Sequence, residues 1–406
     1  MSSMQKLQYL SRILFCAILL PLLAPLASPI CVDIIWIQTA PNADPLYQFS
    51  DQSGTGYIDQ SGKVVIPAGR LHSASSPHAE FHDGLMLLGN YPHASFIDSK
   101  GNPVKFENVD QASEFSDGIA PALDKNTQKW GFINTRGDFV IPPTHQRWTV
   151  PFVSSFSDGM ALIQIYGKNG FLDRTGALAI EANLLEAHEF HDDASRVIIE
   201  GPCKLHSRPC SSFPGMFVLP GYGTPTGATP LCRYAFIDKT GRPLFSQRFD
   251  DAKDFSEELA PVKIDGKWGF INKTGALVVK PQFDSADSFS DGLALVSQNG
   301  LSGFITHDGT FAVAPQFKYA EHFVDGLSLV GKDWPGATNN NFWYIDRTGR
   351  QAIPDSFPLA TSFFKGLAHV KLPEEKGKIP TNLWAGIFAY IDRTGKKVFT
   401  YEIKSR

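Results

Sequence analysis

Six aspartates hold one place in a recurring phrase: Asp59, Asp98, Asp173, Asp238, Asp346 and Asp392 each follow an aromatic-aliphatic pair and precede a Gly by three residues. Carboxylates in such a row could ligate a divalent cation or serve as general acids and bases. Asn134 and Asn272 fill the same place, and an amide can hold a turn but is a poor acid. The row therefore reads as turn chemistry. A second acidic phrase, aromatic-x-Asp-Gly-aliphatic, carries Asp83, Asp117, Asp158, Asp291 and Asp325. It lacks the acidic ladder and distal Glu of a calcium loop, and is expected to start a strand.

The remaining reactive side chains give no stronger constellation. His72, His78, His82 and His93 cluster early, and His188 and His191 flank Glu189 later, but His82 and His191 occupy a repeat position held elsewhere by Ser116, Ser157 and Ser290. They read as loop substitutions facing solvent. There is no Gly-x-Ser-x-Gly elbow, and the glycines from Gly221 to Gly227 sit in Pro-rich sequence unsuited to a phosphate loop. No catalytic, cofactor-binding or metal-ligating residue is assigned, and no cofactor is expected. Cys203, Cys210 and Cys232 fall in or beside a Gly/Pro/Ser/Thr-rich stretch at about 201–230. They are disulfide candidates, with Cys203 to Cys210 the first choice, since such a loop has little apolar content to hold it.

These residues are positioned by a tandem repeat. The first phrase occurs nine times, its terminal glycines 34 to 46 residues apart except for one interval of 65 that marks an insertion. A unit of this size cannot bury its apolar face alone, so neighbours must stack. In the clearest copy, Leu259 to Ile264 reads as a strand, Asp265-Gly266 as a two-residue hairpin turn, and Lys267 to Asn272 as the returning strand. Asn272 to Gly275 makes the next turn, and Ala276 to Lys280 a third strand ended by Pro281. Gln282 to Gly292 reads as a crossover, with room for one helical turn and with Phe283 and Phe289 plugging the core between units. The expected fold is all-β: about nine three-stranded antiparallel meander repeats, with an open solenoid-like array favoured over a closed propeller-like ring. Leu46 to Phe49 and Val398 to Ile403 read as caps, or as pieces that pair to close a ring.

Lys129-Trp130-Gly131-Phe132-Ile133-Asn134 and Lys267-Trp268-Gly269-Phe270-Ile271-Asn272, each followed by a strand ending in Pro, resemble the bacterial WG-repeat (KWG-repeat) family. The likeness runs from about Gly56 to Lys397. Trp gives way to Thr55, Ser95, Asn169, Ala235 and Ser302, and Trp343-Tyr344 lacks the Gly, so the dipeptide reads as a packing preference. The resemblance implies a β-rich repeat domain of exported and envelope proteins and implies no reaction.

Residues 1–30 have a charged start and an apolar run from Ile13 to Leu20, read as an export signal or N-terminal anchor. Residues 31–406 form the repeat array with its insertion at about 201–230. The expected location is the periplasm, cell envelope or exterior, with membrane contact only through an uncleaved N-terminal segment. The formal charge of −4 and the lack of a basic stripe exclude nucleic acid as a partner class. The expected function is non-enzymatic protein binding by a scaffold. A carbohydrate or cell-wall ligand is the alternative, and a hydrolase with its site in the loop insertions stands third.

Overall fold

Asp265-Gly266 turns the chain back as the sequence requires, with both residues at positive φ, 50° and 81°. That is the twist a two-residue hairpin needs to match its strands. Leu259–Ile264 pairs antiparallel with Lys267–Asn272, which pairs in turn with Leu277–Phe283. In the computed structural model, which describes residues 45–69, 81–89, 94–145, 153–198, 233–332, 341–373 and 385–404, this meander recurs in nine small antiparallel sheets with no helix among the described residues. Thr39–Arg406 form one compact body, and residues 1–38 lie outside the described residues. The sheets are numbered here as blades 1 to 9, spanning 47–66, 85–104, 109–145, 153–184, 186–237, 251–283, 285–317, 319–345 and 359–403.

Three strands per unit undercounts the blade. Five of the nine sheets have four strands among the described residues. The crossover supplies the extra one: Ser285–Ser290 pairs with Leu293–Gln298, where a helical turn had room to form. Pro281 also does not end its strand. Leu277–Phe283 runs through it as a bulge, in which Trp268 to Phe270 on the central strand faces Phe283 to Val279, two residues against four. Blades 3, 4 and 7 bulge with the same spacing. Proline is tolerated there because the ladder is already broken.

The bulge explains the Gly of the repeated dipeptide. A Cβ on Gly269 would sit 2.5 Å from the Val279 carbonyl oxygen and 2.7 Å from Pro281 N, and Gly131 and Gly303 meet the same obstruction in blades 3 and 7. Where the position is not Gly, the outer strand differs. The register places Ser95 and Ala235 at the Gly position, not at that of Trp, and Ala389 takes it in blade 9. In blade 9 the outer strand pairs regularly past Ala389, residue for residue.

No blade owns a core. Each of the nine buried apolar clusters draws its residues from two adjacent sheets. At seven of the nine seams the aromatic of the first phrase meets the aromatic of the next blade's second phrase, as in Phe132 with Phe156 at 4.9 Å, Phe171 with Phe190 at 4.8 Å and Phe304 with Phe323 at 4.7 Å. The rings meet edge to face, worth about 0.5–1.5 kcal/mol per pair beyond area burial. In blade 9 the partner of Tyr344 is Phe363, so Phe364, which the sequence phrase selects, is the exposed neighbour.

The ninth seam overturns the open array. Tyr47, Phe49 and Ile58 of blade 1 bury against Leu367 and Tyr390 of blade 9. Phe49 lies 5.0 Å from Phe399, and the Tyr47 hydroxyl donates to the Lys365 carbonyl at 2.7 Å. The chain is a closed nine-bladed β-propeller. Its supposed caps pack on one another through side chains, because an exposed apolar face at either end would cost more than ring closure does.

Beside that seam, His369 accepts or donates one hydrogen bond to the Tyr401 hydroxyl at 2.7 Å and stacks on Phe388 at 5.2 Å. Burial pushes its pKa down from 6.5 to about 4. Between those pH values the unfolded chain binds a proton that the folded ring does not, so stability is full above pH 6.5 and falls as pH drops toward 4. The loss expected is about 1–3 kcal/mol. Unfolding midpoints across that window should flatten in His369→Gln; a wild-type midpoint that does not move would refute the burial.

Candidate functional site

Two sets of turns meet along the ring. In the first set, the Asp59 carboxylate accepts from Ser61 N at 2.9 Å and Lys63 N at 3.1 Å, and Asp173, Asp346 and Asp392 repeat the pattern two and four residues on. Hydrogen bonds from the Ser61, Thr175, Thr348 and Thr394 side chains hold these four carboxyls below the usual range. Asn272 makes the same bonds to Thr274 N at 3.0 Å and Ala276 N at 3.1 Å. The row is turn chemistry, and each carboxylate is spent on its own backbone. What the frame leaves over is the residue after it, whose side chain is free to vary: Gln60, Ser99 and Thr135 in blades 1 to 3, then Arg174, Lys239, Lys273, His307, Arg347 and Arg393 in blades 4 to 9.

The second set does more than start strands. Asp83, Asp117, Asp158, Asp291 and Asp325 all have φ between 50° and 55°, the left-handed region that short acidic side chains tolerate. Each turn is bonded to its neighbour in the next blade. Asp83 accepts from Gly118 N at 2.8 Å, Asp291 from Gly326 N at 2.7 Å, and Asp325 from Gly366 N at 2.7 Å. Blades 5 and 6 put Asp192 and Glu257 in the acid's place and extend the chain, to Glu258 N at 3.1 Å and Gly292 N at 3.0 Å. The Ser before the acid adds another link: Ser116, Ser157, Ser256 and Ser290 donate to the Phe156, Phe190, Phe289 and Phe323 carbonyls at 2.6–2.8 Å. Sequence reading missed these bonds between blades. Their only trace is that Ser-Asp-Gly returns in phase with the repeat.

The displayed side chains then bind back to the acids. Arg174 reaches Asp117 of the preceding blade at 2.6 Å and His307 reaches Glu257 at 3.0 Å, while Arg347 lies 4.0 Å from Asp291. Arg393 makes no ion pair among the described residues. As the pairing loosens across blades 7 to 9, a cleft of about 570 Å³ opens, lined by Asp291, Asp325, Arg347, Thr348 and Arg393 among others.

Of the residues singled out earlier, Cys203, Cys210 and Cys232 lie outside the described residues, as do His72, His78, His93 and the insertion at about 201–230. His191 is exposed, and His82 is half-exposed, 3.6 Å from Glu114. Trp268 is buried in the seam between blades 6 and 7, and Trp130 and Trp343 are partly buried. Among the described residues, no group of His, Cys, Asp and Glu is arranged to hold a metal ion, and no helix is long and apolar enough to cross a membrane.

The model of the WG containing repeat matches residues 56–74, 130–168, 234–268, 268–301 and 303–333. Among solved structures, one titled as a eukaryotic initiation factor is similar over 89% of this chain and 97% of its own, at 11% identity and a TM-score of 0.55, a likeness of fold alone. Apo AztD from Citrobacter koseri is similar over 78% and 92%, at 12% identity and a TM-score of 0.37. No curated protein matches the sequence. With the matched segments spread over blades 1 and 3 to 8, and the Gly of the dipeptide explained by the bulge of blades 3, 6 and 7, the chain belongs to the WG-repeat family.

Proposed function

We propose that the protein is a non-enzymatic scaffold that binds a protein partner through the collar of paired turns. The observation that carries this reading is the constant frame with a variable residue: nine turns of one geometry present nine side chains that differ in charge and size. Repeat proteins commonly recognise partners through positions of this kind, because the frame is rigid and the turn does not depend on which residue is displayed. Among the described residues, exposed aromatics, which a glycan surface would use for stacking, do not recur in register; Tyr166, Phe311 and Phe364 take unrelated places in the repeat. The pairs His307 with Glu257 and His322 with Asp287 are partly exposed and join adjacent blades. The leader-like N-terminus supports work outside the cytoplasm.

A photo-crosslinking residue placed at Thr135 or His307 should yield a discrete protein adduct in cells, and one at Leu277 on the outer strand should not. Adducts from Leu277 alone would displace the binding face to the rim. No adduct from any position would overturn the scaffold.

A further inference from the structure

Beyond the collar, we propose that Tyr166 anchors a second protein-binding site at the opposite end of the ring, where its side chain enters an apolar pocket on a protein partner. Successive strands of a meander alternate in direction. In blade 4 the turns at Asp158-Gly159 and Asp173 to Gly176 therefore lie at the collar end, and the Tyr166-Gly167 hairpin between Met160–Ile165 and Lys168–Asp173 lies at the other. The longest connections between paired strands, after Ile198, Gly331 and Lys371, leave from that same far end. Variation in connection length marks the faces that repeat and loop-bearing folds use for binding.

Nothing inside the chain accounts for this tyrosine. Its φ is 49°, in the left-handed region, where Asp265 and Asn299 hold the same place in the hairpins of blades 6 and 7 at 50° and 55°. Short polar side chains tolerate that conformation, and a bulky ring is an outlier in it. Packing does not offset the strain. Tyr166 is 93% exposed, against 49% for the next large apolar side chain, Ile387, and it makes no ring, hydrogen-bond or ionic contact among the described residues. Asn would make the better turn, so the ring serves a contact outside the chain.

The shape of the tip selects the class of partner. A single ring standing on a convex hairpin has both faces and its edge free, and a pocket covers all three; tyrosine is a frequent anchor of this kind in protein interfaces, with its hydroxyl meeting an acceptor. A bilayer needs a broader apolar surface than one ring. The tips of blades 6 and 7 at this end are Asp265-Gly266 and Asn299-Gly300, and that of blade 1 is Gln52-Ser53, all polar.

The test places a photo-crosslinking aromatic residue at Tyr166 of the full chain in cells, which should capture one protein, and the same residue at Asp265 or Asn299, which should not. The captured protein is then purified and titrated against the full chain. Y166N should weaken its binding by about tenfold or more, as loss of a buried aromatic anchor does, and Y166F by about threefold or less. The thermal midpoint of Y166N should match or exceed that of wild type, since Asn suits the turn. No adduct at Tyr166, equal adducts from all three tips, or a Y166N affinity within about twofold of wild type would each overturn the assignment. So would a lowered Y166N midpoint, an adduct of the chain with itself, or sedimentation with phosphatidylcholine/phosphatidylglycerol vesicles that Y166N abolishes. Adducts at Tyr166 with none at Thr135 or His307 would remove the collar and leave this site, and the reverse would remove this site and leave the collar.

Discussion

Phe270→Ala is expected to cost about 3–5 kcal/mol of stability, the range for emptying a fully buried aromatic site. Phe270 is 0% exposed and meets Phe289 of the next blade at 5.2 Å, so the cavity would open in the seam between blades 6 and 7 and not within a sheet. Neither wall can collapse freely, because each also faces another seam on its far side. Phe311→Ala is the control. Phe311 is 38% exposed on an outer strand, and its loss should cost about 1 kcal/mol or less. Trp268 belongs to the same cluster as Phe270, which makes its fluorescence a local reporter in urea titrations. Equal midpoint shifts in the two variants would mean that the cores lie inside the blades, and stacking would no longer account for the fold.

Gly269→Ala should destabilise by about 3 kcal/mol, near the upper end for overpacking a tight site. The added methyl would press on the Val279 carbonyl at 2.5 Å and on Pro281 N at 2.7 Å, and both are backbone atoms that no rotamer change can move. The comparison is Gly266→Ala at the hairpin tip, where nothing lies within 4 Å and the penalty is only that of φ at +81°, about 1 kcal/mol. Thermal or urea midpoints of the pair should therefore order against intuition, with the glycine at ordinary φ the more sensitive. If Gly266→Ala proved the costlier, close strand approach would not be what the repeated Gly serves. Ala389 offers an internal check, since the one blade whose outer strand pairs regularly past this position carries a methyl there.

Much of the fold was legible because it rests on local rules. Asp265-Gly266, the Asn272 turn and the alternating strands follow from φ preferences and side-chain to backbone hydrogen bonds within four residues, and these read the same in any context. Phe283 and Phe289 were likewise identifiable as the plugs between units, since a sheet of this size has no other way to bury them. Register was harder. A two-residue bulge leaves no mark in a hydrophobic pattern, so Pro281 read as a strand end.

Closure and the collar belong to the tertiary structure. Whether Tyr47 meets Tyr390, 5.6 Å away but 343 positions along the chain, depends on the small rotation added at each of nine seams, and that sum is not encoded in any one repeat. The same holds for charge. Asp117 and Arg174 look like two unrelated surface residues until stacking sets one blade against the next. Residue types and turn chemistry are properties of short segments and can be read directly; partners supplied by a neighbouring blade exist only once the ring has closed.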